Sequence, residues 1–226
     1  MPQSVIKAES IAKLVSTNKE HLTILEDVNL DIYEGESVAI VGTSGAGKST
    51  LMTLLAGLDV PTKGEVTLLG QALSTMDDEE RASLRSESIG FVFQSFLLIP
   101  SLTALENVTL PCLLKGNDED RERAIELLES VGLNKRIDHL PSQLSGGEQQ
   151  RVALARAFMI KPKIMFADEP TGNLDQHTAE KIVDLLFELN KTHGTTLVLV
   201  THDQTLAKQC DRIFNMHAGV LEEAQE

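Results

Sequence analysis

The chain has 226 residues, a formal net charge of −14 and 42% hydrophobic residues. That is enough apolar material for a sizeable core, in one large domain or in one core with an inserted subdomain. An acidic surface repels phosphate backbones and anionic lipid, which argues against nucleic acid as a partner and against holding a membrane by charge alone. No apolar run approaches the roughly 18 residues needed to span a bilayer, and the opening MPQSVIKAES lacks the apolar core of a signal peptide. The chain is therefore expected to stay in the cytoplasm and to reach a membrane only through another protein. Cys112 and Cys210 lie in no CxxC or Cys/His cluster and read as reduced thiols.

In chain order, the first 36 residues carry ILEDVNLDIYEGE, an alternating segment followed by a turn, and GEVTLLGQAL (64–73) repeats the style. Together they predict a small antiparallel sheet beside a main one. SVAIVG (37–42) is a short, β-branched apolar run and reads as a buried strand, followed by a helix over 48–57. Between them lies Gly42-Thr43-Ser44-Gly45-Ala46-Gly47-Lys48-Ser49, which fits GxxxxGK[ST]. Its glycines let backbone N–H groups wrap phosphates, Lys48 can reach the β- and γ-phosphates, and the Ser49 hydroxyl can bind Mg²⁺. The helix that follows, Thr50 included, points its positive end at the same anions. A chance match in a chain this long is roughly one in a hundred, so the loop is a candidate ATP site.

The stretch from about 95 to 155 reads as mostly helical, with helices over 120–131 and 147–160, and is expected to be an inserted subdomain. The acidic cluster NDEDRE (117–122) reads as a helix start and solvated face. Leu144-Ser145-Gly146-Gly147-Glu148-Gln149-Gln150-Arg151 opens the second helix, where Ser145 and Glu148 fit a capping box. The box leaves two consecutive glycines unexplained, and such residues allow close approach to the backbone. A helix start of this kind, with its N–H groups and the Ser145 hydroxyl, is a second anion site made by Ser145, Gly146 and Gly147. One chain with two phosphate-binding ends and one nucleotide loop predicts a head-to-tail dimer, each signature closing on its partner's nucleotide.

KIMFAD (163–168) reads as another buried strand, ending in Asp168-Glu169. Two carboxylates at such an end are costly unless a cation satisfies them. Mg²⁺ on a bound nucleotide assigns Asp168 to the metal and Glu169 to the base that polarises the attacking water. A helix over 177–192 and a strand TTLVLVTH (195–202) complete the pattern, in which strands alternate with helices as in a mainly parallel sheet covered on both faces.

LSGGEQQRVALARA resembles the signature of ABC ATPases, and the order of the other motifs agrees over nearly the whole chain: GFVFQSF, DEPTGNLD (168–175) and VTHD (200–203). IGFVFQSFLLIPSLTALENVTLP (89–111) and DEPTGNLD are most similar to the lipoprotein-release and macrolide-efflux branch, and within it to the YbbA-type ATPases. The resemblance implies an α/β P-loop NTPase fold over 1–226. It would have a mainly parallel core sheet, an N-terminal antiparallel β-subdomain and an inserted helical subdomain. It also implies roles. Gln94 would sense Mg²⁺ and the attacking water, Asp175 would lie in the dimer seam, and His202 would hold the γ-phosphate. Ser145 and Gly147 would contact that phosphate across the dimer, and an integral-membrane permease would be the partner. Family members place an aromatic side chain on the adenine; here that position falls near Val15, which predicts weak base stacking.

The apolar Phe96-Leu97-Leu98-Ile99 either lines a groove for a partner's cytoplasmic helix or packs internally. LNKRID (133–138) lacks the aspartate of a guanine-reading motif, and His139, His177, His193 and His217 have no metal-like spacing. A DNA-maintenance ATPase would separate Lys48 and Ser145 by a long coiled coil, yet they stand 97 positions apart. A translation-type ATPase would carry two such units, and a P-loop kinase leaves LSGGEQQR without a purpose.

Overall fold

The computed structural model describes residues 4–16, 21–116 and 120–224. The chain divides into two compact units, Met1–Arg85 with Thr196–Glu226, and Ser86–Thr195. The second unit is wider than the helical insert anticipated over 95–155, because it also takes in two strands and the helix after them.

In the first unit, β1 (Ser4–Ser16) and β2 (His21–Tyr33) form a long antiparallel hairpin. β4 (Lys63–Leu68) pairs with β1, and the two-residue β5 (Gln71–Ala72) pairs with β4, giving the sheet order β2-β1-β4-β5. This is the antiparallel sheet that the alternation predicts: Leu25, Val28, Leu30 and Ile32 of β2 are buried, while the intervening Glu26 and Asn29 are exposed. The same unit holds β3 (Ser37–Val41), buried at all five positions. β3 pairs in parallel with β8 (Thr196–Thr201) on one side and β9 (Arg212–His217) on the other, and β10 (Val220–Glu223) adds antiparallel to β9. α1 (Lys48–Leu55) follows β3 directly. Ser37 and Asp211 brace β3 reciprocally: the Ser37 N–H and hydroxyl donate to the Asp211 carboxylate at 2.8 and 2.6 Å, and the Asp211 N–H donates to Ser37 Oγ at 3.0 Å.

The second unit carries the parallel pair β6 (Ile89–Phe93) and β7 (Ile164–Asp168), with α3 (Ala104–Leu114), α4 (Arg121–Ser130), α5 (Gly146–Phe158) and α6 (Gln176–His193). α3, α4 and α5 pack on one another. Asp120 of the acidic cluster does cap α4, accepting from the Arg123 N–H; residues 117–119 lie outside the described residues. α2 (Asp78–Ser88) and α7 (Gln204–Ala207) complete the α-helices among the described residues. None of these helices is long and apolar enough to cross a membrane.

Candidate functional site

Strand β3 delivers the chain to the glycine loop, and the loop ends at Gly47. Gly47 has φ of 105°, a value that only glycine adopts without strain. A Cβ there would also stand 2.9 Å from Leu25 Cδ2 and 3.1 Å from the Ile24 carbonyl, so β2 presses directly on the loop. Gly47 is the N-cap of α1 and supplies no side-chain hydrogen bond to it. Every other α-helix among the described residues begins on a side-chain acceptor: Asp77, Thr103, Asp120, Ser145, Asp175 and Asp203. Of these helices α1 alone starts on a residue with no side chain to cap it, and helix starts of that kind are where anions are commonly met. Lys48 is nearly buried, and its ammonium donates to the carbonyls of Gly42 at 2.8 Å and Thr43 at 3.1 Å. The lysine curls over the loop it follows. Thr43, Ser44, Gly45 and Ser49 are exposed, Ala46 is buried, and Thr50 is half-buried. His202 is exposed at the end of β8 in the same unit, and Asp203 beside it accepts from the Thr205 and Leu206 N–H groups to start α7.

In the second unit, four residues of β7 are buried and the strand then surfaces at Asp168 and Glu169, both half-buried. Glu169 sits at φ of 46°, in the left-handed region. A non-glycine residue held there stores strain, which persists only when neighbours over-determine it. Two do: the Gly172 N–H donates to the Glu169 carbonyl at 3.0 Å, and the wholly buried Gln150 donates through Nε2 to the Pro170 carbonyl at 2.6 Å. Gln150 was not picked out from the sequence, although a glutamine on the buried stripe of α5 was the signal. Among the described residues no group of three or more His, Cys, Asp and Glu side chains could hold a metal ion. The Asp168 carboxylate offers the oxygen chemistry that a hard cation such as Mg²⁺ takes.

The start of α5 shows the expected capping box. The Ser145 N–H and hydroxyl both donate to the Glu148 carboxylate at 2.9 Å, and the Glu148 N–H donates to Ser145 Oγ at 3.3 Å. These bonds, the backbone one foremost, and Arg136 at 2.9 Å bring the Glu148 carboxyl down to about 2. The two glycines separate in role. A Cβ on Gly147 would stand 2.5 Å from Thr178 Cγ2 on α6, so Gly147 is required by packing inside the chain. A Cβ on Gly146 would meet only Leu174 at 3.5 Å and Phe96 at 3.7 Å, ordinary distances. Asp175 accepts from the Thr178 N–H at 3.1 Å, which caps α6; the Thr178 hydroxyl first and this N–H next hold the carboxyl below its usual range. Asp175 and Gly147 are brought together through Thr178.

Gln94, exposed just past β6, donates from Nε2 to Asn173 Oδ1 at 3.2 Å, and Asn173 Nδ2 returns a bond to the Gln94 carbonyl at 2.9 Å. After Gln94 the chain takes two left-handed residues, Phe96 and Leu97, whose carbonyls accept from the Arg156 guanidinium at 2.8 and 2.6 Å. Buried Asn107 then ties Ile99, donating to its carbonyl at 3.2 Å and accepting from its N–H at 2.8 Å. Leu97 and Ile99 are left exposed, whereas Phe96 and Leu98 are half-buried.

Of the histidines set aside, His193 packs against Phe158, their rings 5.2 Å apart, and His177 lies close enough to Asp175 to help lower its carboxyl. Both cysteines are free, and burial, with the charge of Asp211, pushes the Cys210 thiol up to about 12.

Residues 25–172 match the ABC transporter family model. The chain is 56% identical over 223 residues to the ATP-binding protein YbbA of Escherichia coli K12, described there as an uncharacterized ABC transporter protein, with 98% of each chain covered. It is 51% identical over 222 residues to LolD of Xanthomonas campestris pv. campestris, the ATP-binding protein of a lipoprotein-releasing system, covering 97% of this chain and 93% of that one. Among solved structures it superposes on the dimeric post-hydrolysis state of the ATP-binding cassette MJ0796, bound to ADP and Pi. That match has a TM-score of 0.88 at 44% identity and covers 98% of this chain and 99% of that one.

Proposed function

The chain belongs to the ABC transporter family of ATP-binding proteins, and on that premise we propose that it powers a membrane permease by closing as an ATP-bound head-to-tail dimer and reopening on hydrolysis. That it is an ATP-hydrolysing subunit of an ABC transporter complex follows from the family and from its ADP- and Pi-bound structural relative. The proposal adds the division of labour. Residues 42–50 cradle the phosphates, with Lys48 against the β- and γ-phosphates. Mg²⁺ supplies charge neutralisation there, with Ser49, Gln94 and Asp168 as its oxygen-bearing side chains. Glu169 accepts the proton of the attacking water and His202 holds the γ-phosphate. Ser145, Gly146 and Gly147 of the second copy meet that phosphate from the other side, with Asp175 in the seam. The observation that carries this reading is the glycine loop itself, which enters α1 through a left-handed Gly47 in place of a capping side chain and brings Lys48 over the Gly42 and Thr43 carbonyls.

The 1–226 chain acts as one ABC ATPase domain, with α3, α4 and α5 as its helical subdomain. The exposed Leu97 and Ile99, on a loop held by Arg156 and Asn107, support a surface for the permease's cytoplasmic helix. The permease holds the chain at the cytoplasmic face of the membrane, and the work done is export, lipid or lipoprotein extraction, or transmission of force. Val15 is 43% exposed at the end of the β1–β2 hairpin, opposite the exposed Leu22, and offers adenine no ring. Recognition then rests on the phosphates more than on the base, and a weak preference for ATP over GTP is the measurable consequence.

Glu169→Gln tests the chemistry. It should retain ATP, lower hydrolysis by about 10²–10⁴, and accumulate as a dimer in size-exclusion chromatography with ATP. Wild-type turnover in that variant removes Glu169 from the role of base.

A further inference from the structure

We propose that Asn173 is the positioning residue that fixes which end of the Gln94 carboxamide faces the nucleotide metal; this rests on the reading of Gln94 given above. Two hydrogen bonds and one glycine make the case. Asn173 Nδ2 is committed as a donor to the Gln94 backbone carbonyl at 2.9 Å. Its other end, Oδ1, is then an acceptor, and the only part of the Gln94 carboxamide that can satisfy it is the nitrogen, which lies 3.2 Å away. The pairing consumes the donor end of Gln94 and leaves the bond-making of Oε1 to another partner. A hard cation such as Mg²⁺ takes oxygen ligands, so a glutamine that serves it must present oxygen. An unrestrained carboxamide presents either end, because its nitrogen and oxygen sides are nearly the same shape.

The third feature is Gly172. A Cβ there would lie 2.6 Å from Gln94 Nε2, 2.9 Å from Cδ and 3.2 Å from Cγ, so the glutamine side chain lies across this residue along most of its length. Gly172 is not in the left-handed region, and its clearance is what the position needs. Asn173 and Gly172 therefore form one seat: the glycine gives Gln94 room and the asparagine sets its orientation. The seat lies four to five residues beyond Asp168, on the segment that carries Glu169, so the metal carboxylate and the metal-facing carboxamide are set by a single stretch of backbone.

The test is binding of a fluorescent ATP analogue to the full chain, titrated once in EDTA and once with Mg²⁺, for the wild type, Asn173→Ala, Gly172→Ala, Gln94→Ala and the double variant Gln94→Ala/Asn173→Ala. Asn173 is exposed, so its truncation should leave the thermal midpoint unchanged. In EDTA, Asn173→Ala should bind as the wild type does. The gain in affinity on adding Mg²⁺ should shrink by about fivefold, the size of one lost neutral hydrogen bond. Gly172→Ala, which displaces Gln94 and keeps Asn173, should show the same loss. In the Gln94→Ala background, Asn173→Ala should cost nothing further, because residues that act through one another are not additive. An equal loss in EDTA and in Mg²⁺, or a further loss in the double variant, overturns the role of Asn173 while leaving that of Gln94 standing. A Gln94→Ala variant with an undiminished Mg²⁺ gain overturns the reading of Gln94 and the proposal with it.

Discussion

The two helix starts proposed to meet phosphate are built in opposite ways. α1 begins on Gly47 with no side-chain cap, behind a loop whose lysine folds back onto the Gly42 and Thr43 carbonyls. α5 begins on Ser145 with a complete capping box, its hydroxyl and N–H already donating to Glu148. An N-terminus without a cap leaves orphan donors at the positive end of the helix, and a phosphate satisfies them directly. A capped N-terminus has its own carboxylate in place, so an incoming phosphate must share or displace it. The first arrangement suits a ligand held throughout the cycle. The second suits a ligand met transiently, when a second copy brings it.

The contrast breaks most visibly at Gly47. Alanine there must take φ near 105° and force its Cβ against Leu25 and the Ile24 carbonyl. Backbone strain and overpacking together should cost about 3 kcal/mol. That appears as a fall of roughly 6–12 °C in the thermal midpoint and as loss of ATP binding by isothermal titration. A Gly47→Ala variant that binds ATP normally would mean that the glycine-led start of α1 is not the phosphate seat.

The pair of glycines in the signature sharpens the other side. Gly147→Ala drives a Cβ to 2.5 Å from Thr178 Cγ2 and should destabilise the chain by about 1–3 kcal/mol. Adding Thr178→Ser removes that methyl and should restore most of the loss in a denaturant titration. Gly146→Ala meets nothing nearer than 3.5 Å, so its stability should stay within about 0.5 kcal/mol of the wild type. Its effect should fall on the ATP-dependent dimer of the Glu169→Gln chain. If Gly146→Ala dimerises fully and Gly147→Ala/Thr178→Ser does not, the roles of the two glycines are reversed.

Much of this contrast was legible in the sequence, and the reason is local. The GxxxxGK[ST] loop, the S-x-x-E box and the buried runs of β3, β7 and β8 are each encoded within a few consecutive residues. So is the acidic pair at the end of β7. What escaped depends on residues distant in the chain. Thr178 explains Gly147 only because α6 packs against the start of α5, and Asn173 reaches Gln94 across 79 positions. Gln150 supports the strained Glu169 turn from inside α5, where a periodicity reading assigns a polar residue to the surface. α2 was missed for another cause: DEERASLRSES has only Ala82 and Leu84 as apolar residues, too few to mark a stripe. β9 and β10 are short and carry charged residues among the apolar ones, which blurs their alternation.

The capping box itself gives the smallest of these effects and a distinct pH signature. Removing the Glu148 carboxylate as Glu148→Ala should cost about 1 kcal/mol at neutral pH, the usual size of a cap, or about 2–4 °C in a chain of this length. Glu148 has its carboxyl lowered from an ordinary 4.5 to about 2 in the folded chain, by the Ser145 N–H first and Arg136 next. A group depressed in the folded state binds its proton more readily when unfolded. Its stabilisation is therefore complete above the unfolded value and disappears as pH falls through the folded one. The difference in midpoint between wild type and Glu148→Ala should hold from pH 7 to about 5 and close between about 4.5 and 2. Ser145→Ala should close far less, because the Ser145 N–H and Arg136 still hold the carboxylate and only the hydroxyl's bonds are lost. A Glu148→Ala difference that stays constant down to pH 2 would mean that the carboxylate is not what holds the start of α5. The contrast between the starts of α5 and α1 would then no longer rest on the Glu148 carboxylate.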